Sequence, residues 1–146
     1  MKFDRELALA RPLGELLAAA WLADPHPASI NCLAPTPLAP ERLAQRGFIQ
    51  ALEMARAFNR WLHEPLRVMA HGLVRQRKTA PQSELDLSMR RTTLIGSFAA
   101  DARLCGARTG LVDDVLTSGS TLAEAARALQ EAGCISLVAI VVARVA

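Results

Sequence analysis

The 146-residue chain is 51% apolar with a formal charge of +3, which fits one globular domain with a proper core and excludes a disordered chain. Aromatic residues make up only 4% and Tyr is absent, which argues against a platform that stacks many bases. Arginine supplies nearly all the positive charge, since Lys2 and Lys78 are the lysines; guanidinium groups suit bidentate contact with phosphate, but a charge this small does not by itself imply nucleic acid.

In chain order, residues 4–22 predict a helix. Leu9, Leu13, Leu16, Leu17 and Ala20 recur at helical spacing, and Pro12 is accommodated if it opens the main helix. Asp24-Pro25-His26-Pro27 ends it. The charged Lys2, Asp4, Arg5 and Glu6, with Glu15 further on, do not fit a signal peptide. No apolar run approaches the roughly 18 residues of a membrane span, so a cytoplasmic protein without membrane insertion is expected. Residues 31–34 predict a short strand, which leads into Pro35-Thr36-Pro37, a loop stiffened by its prolines. A long helix is expected from about residue 40 to residue 61, with Phe48, Ala51, Leu52, Ala55, Phe58 and Leu62 as its buried stripe.

Residues 66–74 predict a second strand, and a polar, basic loop follows from Arg75 to Gln82. Ser83 to Asp86 resembles a capping box, so a helix is expected to start there and run toward Thr93. Residues 96–99 suit a short strand, and Cys105-Gly106 a turn. A strand over 107–113 and a helix to Glu131 come next, closed at Ala132-Gly133. The near-continuous apolar, β-branched run over 135–143 reads as a strand buried on both faces. Strands alternating with helices predict an α/β fold, a single domain over 1–146 in which residues 1–30 form a helical cap segment. Cys32, Cys105 and Cys134 are scattered, as are the three histidines, so reduced thiols are expected and no transition-metal site.

The chemistry concentrates between Leu111 and Thr121. Asp113 and Asp114 end an apolar run; Thr117-Ser118-Gly119-Ser120-Thr121 follows, and a helix begins near Ser120. Open N–H groups at a helix start, with a glycine permitting close approach, seat a phosphate. A carboxylate pair beside that seat suits ribose hydroxyls, or water on a metal ion. The two together suggest a ribose 5-phosphate. The plainer reading is an ordinary strand–loop–helix with Asp114 in a turn and Ser120 as the cap. In a mostly parallel sheet, Pro35 and Asp113 would both lie at the carboxyl ends of strands, where ligands bind.

Four segments, taken together, resemble one family. Leu111–Thr121 is similar to the phosphoribosyl pyrophosphate signature of type I phosphoribosyltransferases. The run from Glu41 to Gln50, after Ala34-Pro35-Thr36-Pro37, resembles the ComF/GntX branch, associated with DNA uptake in naturally competent bacteria. So do the loop carrying Arg75, Arg77, Thr79, Gln82 and Leu85, with Arg90-Arg91 after it, and the pair Gly96 and Phe98. The family's paired-cysteine zinc ribbon is absent, and Ile49, Thr93 and Ile95 stand where the branch usually has polar residues.

The resemblance implies a three-layer, mostly parallel sheet flanked by helices. It implies a phosphoribosyl pyrophosphate site whose 5-phosphate lies on Thr117, Ser118, Gly119, Ser120 and Thr121, with Asp113 and Asp114 on the ribose as catalytic residues. Mg²⁺ is held through ligand and water near the two acids, with no direct protein ligand. Pyrophosphate would meet Pro35, Thr36 and Arg46, with Arg42 as a weaker candidate, and a covering loop with Arg75, Arg77 and Lys78. The implied function is a competence-linked protein that transfers phosphoribosyl to an unknown acceptor. The alternative is a non-catalytic module for the nucleotide precursor or for single-stranded DNA. Competence-machinery proteins and a second copy in a homodimer are the remaining partner options.

Overall fold

The computed structural model describes residues 2–38, 43–44, 49–76, 97–116 and 119–144. Helix α1 spans Lys2–Ala23 and strand β1 spans Cys32–Pro35. Helix α2 covers Gln50–Arg60, and the short strands β2 and β3 cover Arg67–Val68 and Leu73–Arg75. Strand β4 is Phe98–Ala100, followed by a 3-10 turn at Ala102–Leu104. Strand β5 (Arg108–Leu116), helix α3 (Ser120–Glu131) and strand β6 (Ser136–Arg144) complete the order. The capping-box helix predicted from Ser83 and the early part of the helix predicted from residue 40 lie largely outside the described residues.

Four parallel strands form the main sheet in the order β2-β1-β5-β6, and β3 pairs antiparallel with β4. The alternating pleat sends side chains to two cores. On one face, Cys32, Ala34 and Leu111 meet Leu122, Ala125, Ala128 and Leu129 of α3, with Phe98 and Leu73 from the hairpin. On the other, Leu33, Val112 and Ile140 meet Ala10, Leu17 and Ala18 of α1 and Met54, Ala55 and Phe58 of α2. Helices on both faces of a mostly parallel sheet make three layers, as expected. Trp21 closes the second core edge-to-face on Phe58, with ring centroids 5.9 Å apart.

Two glycines mark close approaches between packed elements. A Cβ on Gly14 would lie 2.4 Å from the Met54 carbonyl oxygen, so only glycine lets α1 sit this close on α2. A Cβ on Gly110, in the middle of β5, would lie 2.9 Å from Ile140 Cδ1 and 3.0 Å from Leu33 Cδ2. The space above Gly110 is filled instead by these larger neighbours.

Several expectations need correction. Pro12 lies inside α1 rather than at its opening, on a solvent-exposed face. The strand expected over 66–74 is two strands, parted by a turn at Met69 to Gly72 in which the Gly72 amide donates to the Met69 carbonyl at 3.0 Å. Strand β5 runs three residues beyond Asp113, because β6 is long enough to pair with it as far as Arg144. Strand β6 is not buried on both faces: Ile140 alone of its residues is buried, because β6 is the outer strand of the sheet.

Candidate functional site at the carboxyl ends of two central strands

Strands β1 and β5 are neighbours, but the chain leaves them in opposite directions. After β1 it passes through α2 to β2; after β5 it passes through α3 to β6 on the far side. That reversal opens a crevice at their carboxyl ends, the usual ligand position in such sheets. The register is explicit. Pro35 pairs with Val112, and one residue on the Thr36 amide donates to the Val112 carbonyl at 2.9 Å. Thr36 therefore sits beside the acid pair. Pro35 is tolerated within the sheet because β2 pairs only with Cys32 and Leu33 and asks for no amide further along.

The two acids are strand residues, not turn residues. Asp113 pairs with Val141 of β6, and both acids are half-buried. The Asp113 Oδ1 accepts from the Asp114 amide at 2.8 Å. Burial pushes the Asp113 carboxyl up from 3.8 to about 6; the Asp114 amide pulls the other way, and the Asp114 carboxyl adds to the rise. Asp113 is thus a carboxyl that titrates near neutrality inside a crevice, a common mark of functional groups.

The helix start differs from the expected Ser120 cap. Gly119 is the cap residue of α3, left-handed at φ 80°, and supplies no side-chain hydrogen bond. Ser120 is the first helical residue and Thr121 the second. A left-handed residue before a helix turns successive amides toward one concavity, which favours an anion. Thr117 and Ser118 lie outside the described residues, as do Arg42, Arg46, Arg77 and Lys78.

Thr36 is 7% exposed, and among the described residues its buried Oγ1 has no hydrogen-bond partner. A buried hydroxyl without a partner is costly, which makes this one fit a site completed by ligand or water. We expect Thr36→Val to raise the stability of the ligand-free protein by about 1 kcal/mol. Urea denaturation would show this as a higher midpoint at unchanged slope. A lower midpoint would mean that the hydroxyl is satisfied in solution.

Arg75 is on the β3–β4 hairpin, with its guanidinium 5.7 Å from the centre of the Phe98 ring. Beside it an open cleft of about 400 Å³ runs between the hairpin and α3, lined by Gln76, Phe98, Ala99, Ala100, Arg127 and Glu131 among others. Arg127 is engaged there. Its Nη2 and Nε donate to the buried Glu124 at 2.6 and 2.9 Å, and its Nη1 to Glu131. The carboxylates raise the Arg127 pKa further. This fork was not singled out from the sequence, although carboxylate and arginine at i and i+3 on a helix were a readable signal.

Among the described residues no group of three or more His, Cys, Asp or Glu is placed to hold a metal ion, and no helix is long and apolar enough to cross a membrane. All three thiols are free; Cys32 and Cys134 each lie within 3.4 Å of the Thr109 hydroxyl.

Comparison with known proteins sets this geometry in context. The chain is 32% identical over 136 residues to the DNA utilization protein YhgH of Escherichia coli O6:H1, covering 91% of this chain. It is 30% identical over 138 residues to Competence protein F of Haemophilus influenzae, covering 90% of this chain. It spans about 59% of the length of these curated relatives. No family model matches the chain. Among solved structures, an allosteric regulatory enzyme of purine biosynthesis superposes with a TM-score of 0.58 at 17% identity, over 91% of this chain and 25% of that one. Glutamine phosphoribosylpyrophosphate amidotransferase from B. subtilis gives 0.57 at 18%, over 91% of this chain and 26% of that one. At these identities the likeness establishes the fold.

Proposed function

We propose that this chain, of phosphoribosyltransferase fold and similar to Competence protein F and the DNA utilization protein YhgH, is a ComF-type protein that binds phosphoribosyl pyrophosphate where β1 and β5 end. The observation that carries this reading is the register that sets Thr36 beside Val112 and the acid pair, with the α3 start following on the same strand. Three ligand parts then have three seats. The 5-phosphate lies on the amides and hydroxyls from Thr117 to Thr121. The ribose hydroxyls donate to Asp113 and Asp114. The pyrophosphate lies toward Pro35 and Thr36, where the partnerless Thr36 hydroxyl gains a phosphate oxygen to donate to. Arg46, Arg75, Arg77 and Lys78 are the cations proposed to meet the polyphosphate.

The two acids and the buried Thr36 hydroxyl fit a Mg²⁺ carried by the ligand and reached through water. When bound, the ion supplies positive charge to the pyrophosphate. The chain's own part in transfer is to orient the ribose through the acids and to exclude water from its C1 carbon. Pyrophosphate then leaves as an acceptor nucleophile bonds to that carbon. Ile49 favours a second reading. It is the cap residue of α2 and makes no side-chain cap hydrogen bond, an apolar group where the branch usually carries Asn. This suits a module that binds the precursor without transferring it. The relatives' names connect either reading with DNA utilization or competence.

Calorimetry with phosphoribosyl pyrophosphate tests the proposal. Saturable heat that strengthens with Mg²⁺ is expected. Pyrophosphate release with a panel of bases would separate transfer from binding alone. Absence of heat with and without Mg²⁺ would sink the proposal.

A further inference from the structure

The three cysteines lie far apart in the chain, yet the fold gathers them at the amino ends of the parallel strands. Cys32 is the first residue of β1, Cys105 precedes β5 by three residues, and Cys134 precedes β6 by two. Cys32 is fully buried, with its Sγ 3.3 Å from the Thr109 hydroxyl. Cys134 is half-buried; its Sγ lies 3.4 Å from the same hydroxyl and donates to the Leu104 carbonyl at 3.4 Å. Cys105, the residue after Leu104, is exposed. The thiols thus grade from closed core to open solvent.

The backbone holds Cys105 and Cys134 side by side. The Gly106 amide donates to the Gly133 carbonyl at 2.9 Å, which joins the peptide unit after Cys105 to the one before Cys134. Just beyond, the Ile135 amide donates to the Ala107 carbonyl at 2.8 Å. Chains joined in this way run about 4.8 Å apart, inside the roughly 4.4–6.8 Å that a disulfide needs between its Cα atoms. Gly133, left-handed at φ 97°, faces Cys105: a Cβ there would lie 2.8 Å from Cys105 Sγ and 3.5 Å from Cys105 Cα. Each thiol therefore rests against the residue that precedes the other cysteine, Cys105 Sγ on Gly133 and Cys134 Sγ on Leu104.

We propose that Cys105 and Cys134 are a peroxide-responsive thiol pair, in which Cys105 reacts first and Cys134 closes a disulfide on it. The open Cys105 sulfur, as thiolate, attacks one oxygen of hydrogen peroxide. The O–O bond breaks, the sulfur gives up two electrons, hydroxide leaves and takes up a proton as water, and Cys105 carries a sulfenic acid. The Cys134 sulfur then attacks the Cys105 sulfur. The S–S bond forms, the S–O bond breaks, and the hydroxyl departs as water with the Cys134 proton. Two thiols and one peroxide thus give one disulfide and two water molecules. Rotation of the two side chains about their Cα–Cβ bonds brings the sulfurs together. Cys32, closed in the core, takes no part. The bridge closes a loop that contains the acid pair, Gly119 and all of α3. It ties the amino ends of β5 and β6, away from the crevice at the carboxyl ends, so it stands whether or not phosphoribosyl pyrophosphate is the ligand.

Mass spectrometry after hydrogen peroxide treatment of the reduced, folded 146-residue chain tests the proposal. The parent is expected to lose two hydrogens and to regain them with dithiothreitol. Trypsin cuts after Arg103 and Arg108 and after Arg127 and Arg144, so the bridge appears as Leu104–Arg108 joined to Ala128–Arg144. Cys134→Ser is expected to leave Cys105 as the sulfenic acid, which dimedone traps, with no disulfide. Cys105→Ser is expected to slow thiol loss by about tenfold or more, since the two sulfurs that remain are covered. A disulfide that includes Cys32, or one that links two chains, overturns the proposal. So does a parent that keeps all three thiols free while glutathione in the same solution is oxidised. A Cys105→Ser chain that loses thiols as fast as the parent does so too.

Discussion

Asp113→Asn combined with Asp114→Asn is expected to reduce affinity for phosphoribosyl pyrophosphate by about 100- to 10,000-fold in calorimetry. Each acid offers an ionised acceptor to ribose hydroxyls, and a hydrogen bond to a charged group is worth about 1.5–3 kcal/mol. Two such bonds lost together give that range. The fold should survive. The local contact that holds the pair runs from the Asp114 amide to Asp113 Oδ1 at 2.8 Å, and asparagine keeps an acceptor oxygen in that position. The pair is half-buried within β5 and belongs to neither hydrophobic core. Circular dichroism of the variant should therefore match the parent while the binding heat disappears. Equal heats in the two proteins would take away the proposed ribose seat.

What could be read from the chain alone follows from how each signal arises. Helical spacing marked α1 and α3 because a helix buries one stripe and leaves the rest to water: Ala125, Ala128 and Leu129 are buried, and Arg127 and Glu131 lie toward solvent. Pro12 misled because it faces outward, where the helix tolerates the lost amide. The split between β2 and β3 was hidden, since Gly72 is the one turn-favouring residue between Leu66 and Val74. Strand β6 shows a harder limit. An apolar, β-branched run is the same whether its strand lies in the middle of a sheet or at its border, and only topology decides. The purpose of Gly110 is visible only once Leu33 and Ile140 are seen to close over it.

The site divides in the same way. The acid pair and the glycine at the helix start were legible because charge, hydroxyls and glycine cluster within a few residues. The partnership of Thr36 with β5 was not, because it joins residues 76 positions apart through a backbone bond to Val112. The raised pKa of Asp113 was hidden for a related reason: it depends on burial, which only the fold sets.

That raised pKa gives Asp113→Asn alone two effects of opposite sign. In the folded chain Asp113 titrates near 6, against 3.8 ordinarily, so folding opposes its ionisation. Below about pH 4 the carboxyl is protonated in both folded and unfolded chains and costs nothing. Between about 4 and 6 the unfolded chain sheds the proton first and the parent loses stability; above about 6 the loss is complete. With allowance for the water that reaches this half-buried group, the cost at neutral pH is about 1–2 kcal/mol. Asp113→Asn removes it. The variant should melt about 3–8 °C above the parent at pH 7.5, and the gap should close as the pH falls to 4. Ligand binding should move the other way. The ionised carboxylate is the stronger acceptor for ribose hydroxyls, so parent affinity should fall more steeply than the variant's as pH drops through about 6, where the ligand's own phosphate also gains a proton in both proteins. Melting curves and calorimetry at pH 4.5, 6 and 7.5 read both effects. A variant that melts below the parent at pH 7.5 would mean that Asp113 stabilises the fold, and a parent whose affinity falls no more steeply than the variant's would remove it from the ribose. A carboxyl that weakens the free protein and strengthens the complex is what a binding group held ready in a crevice requires.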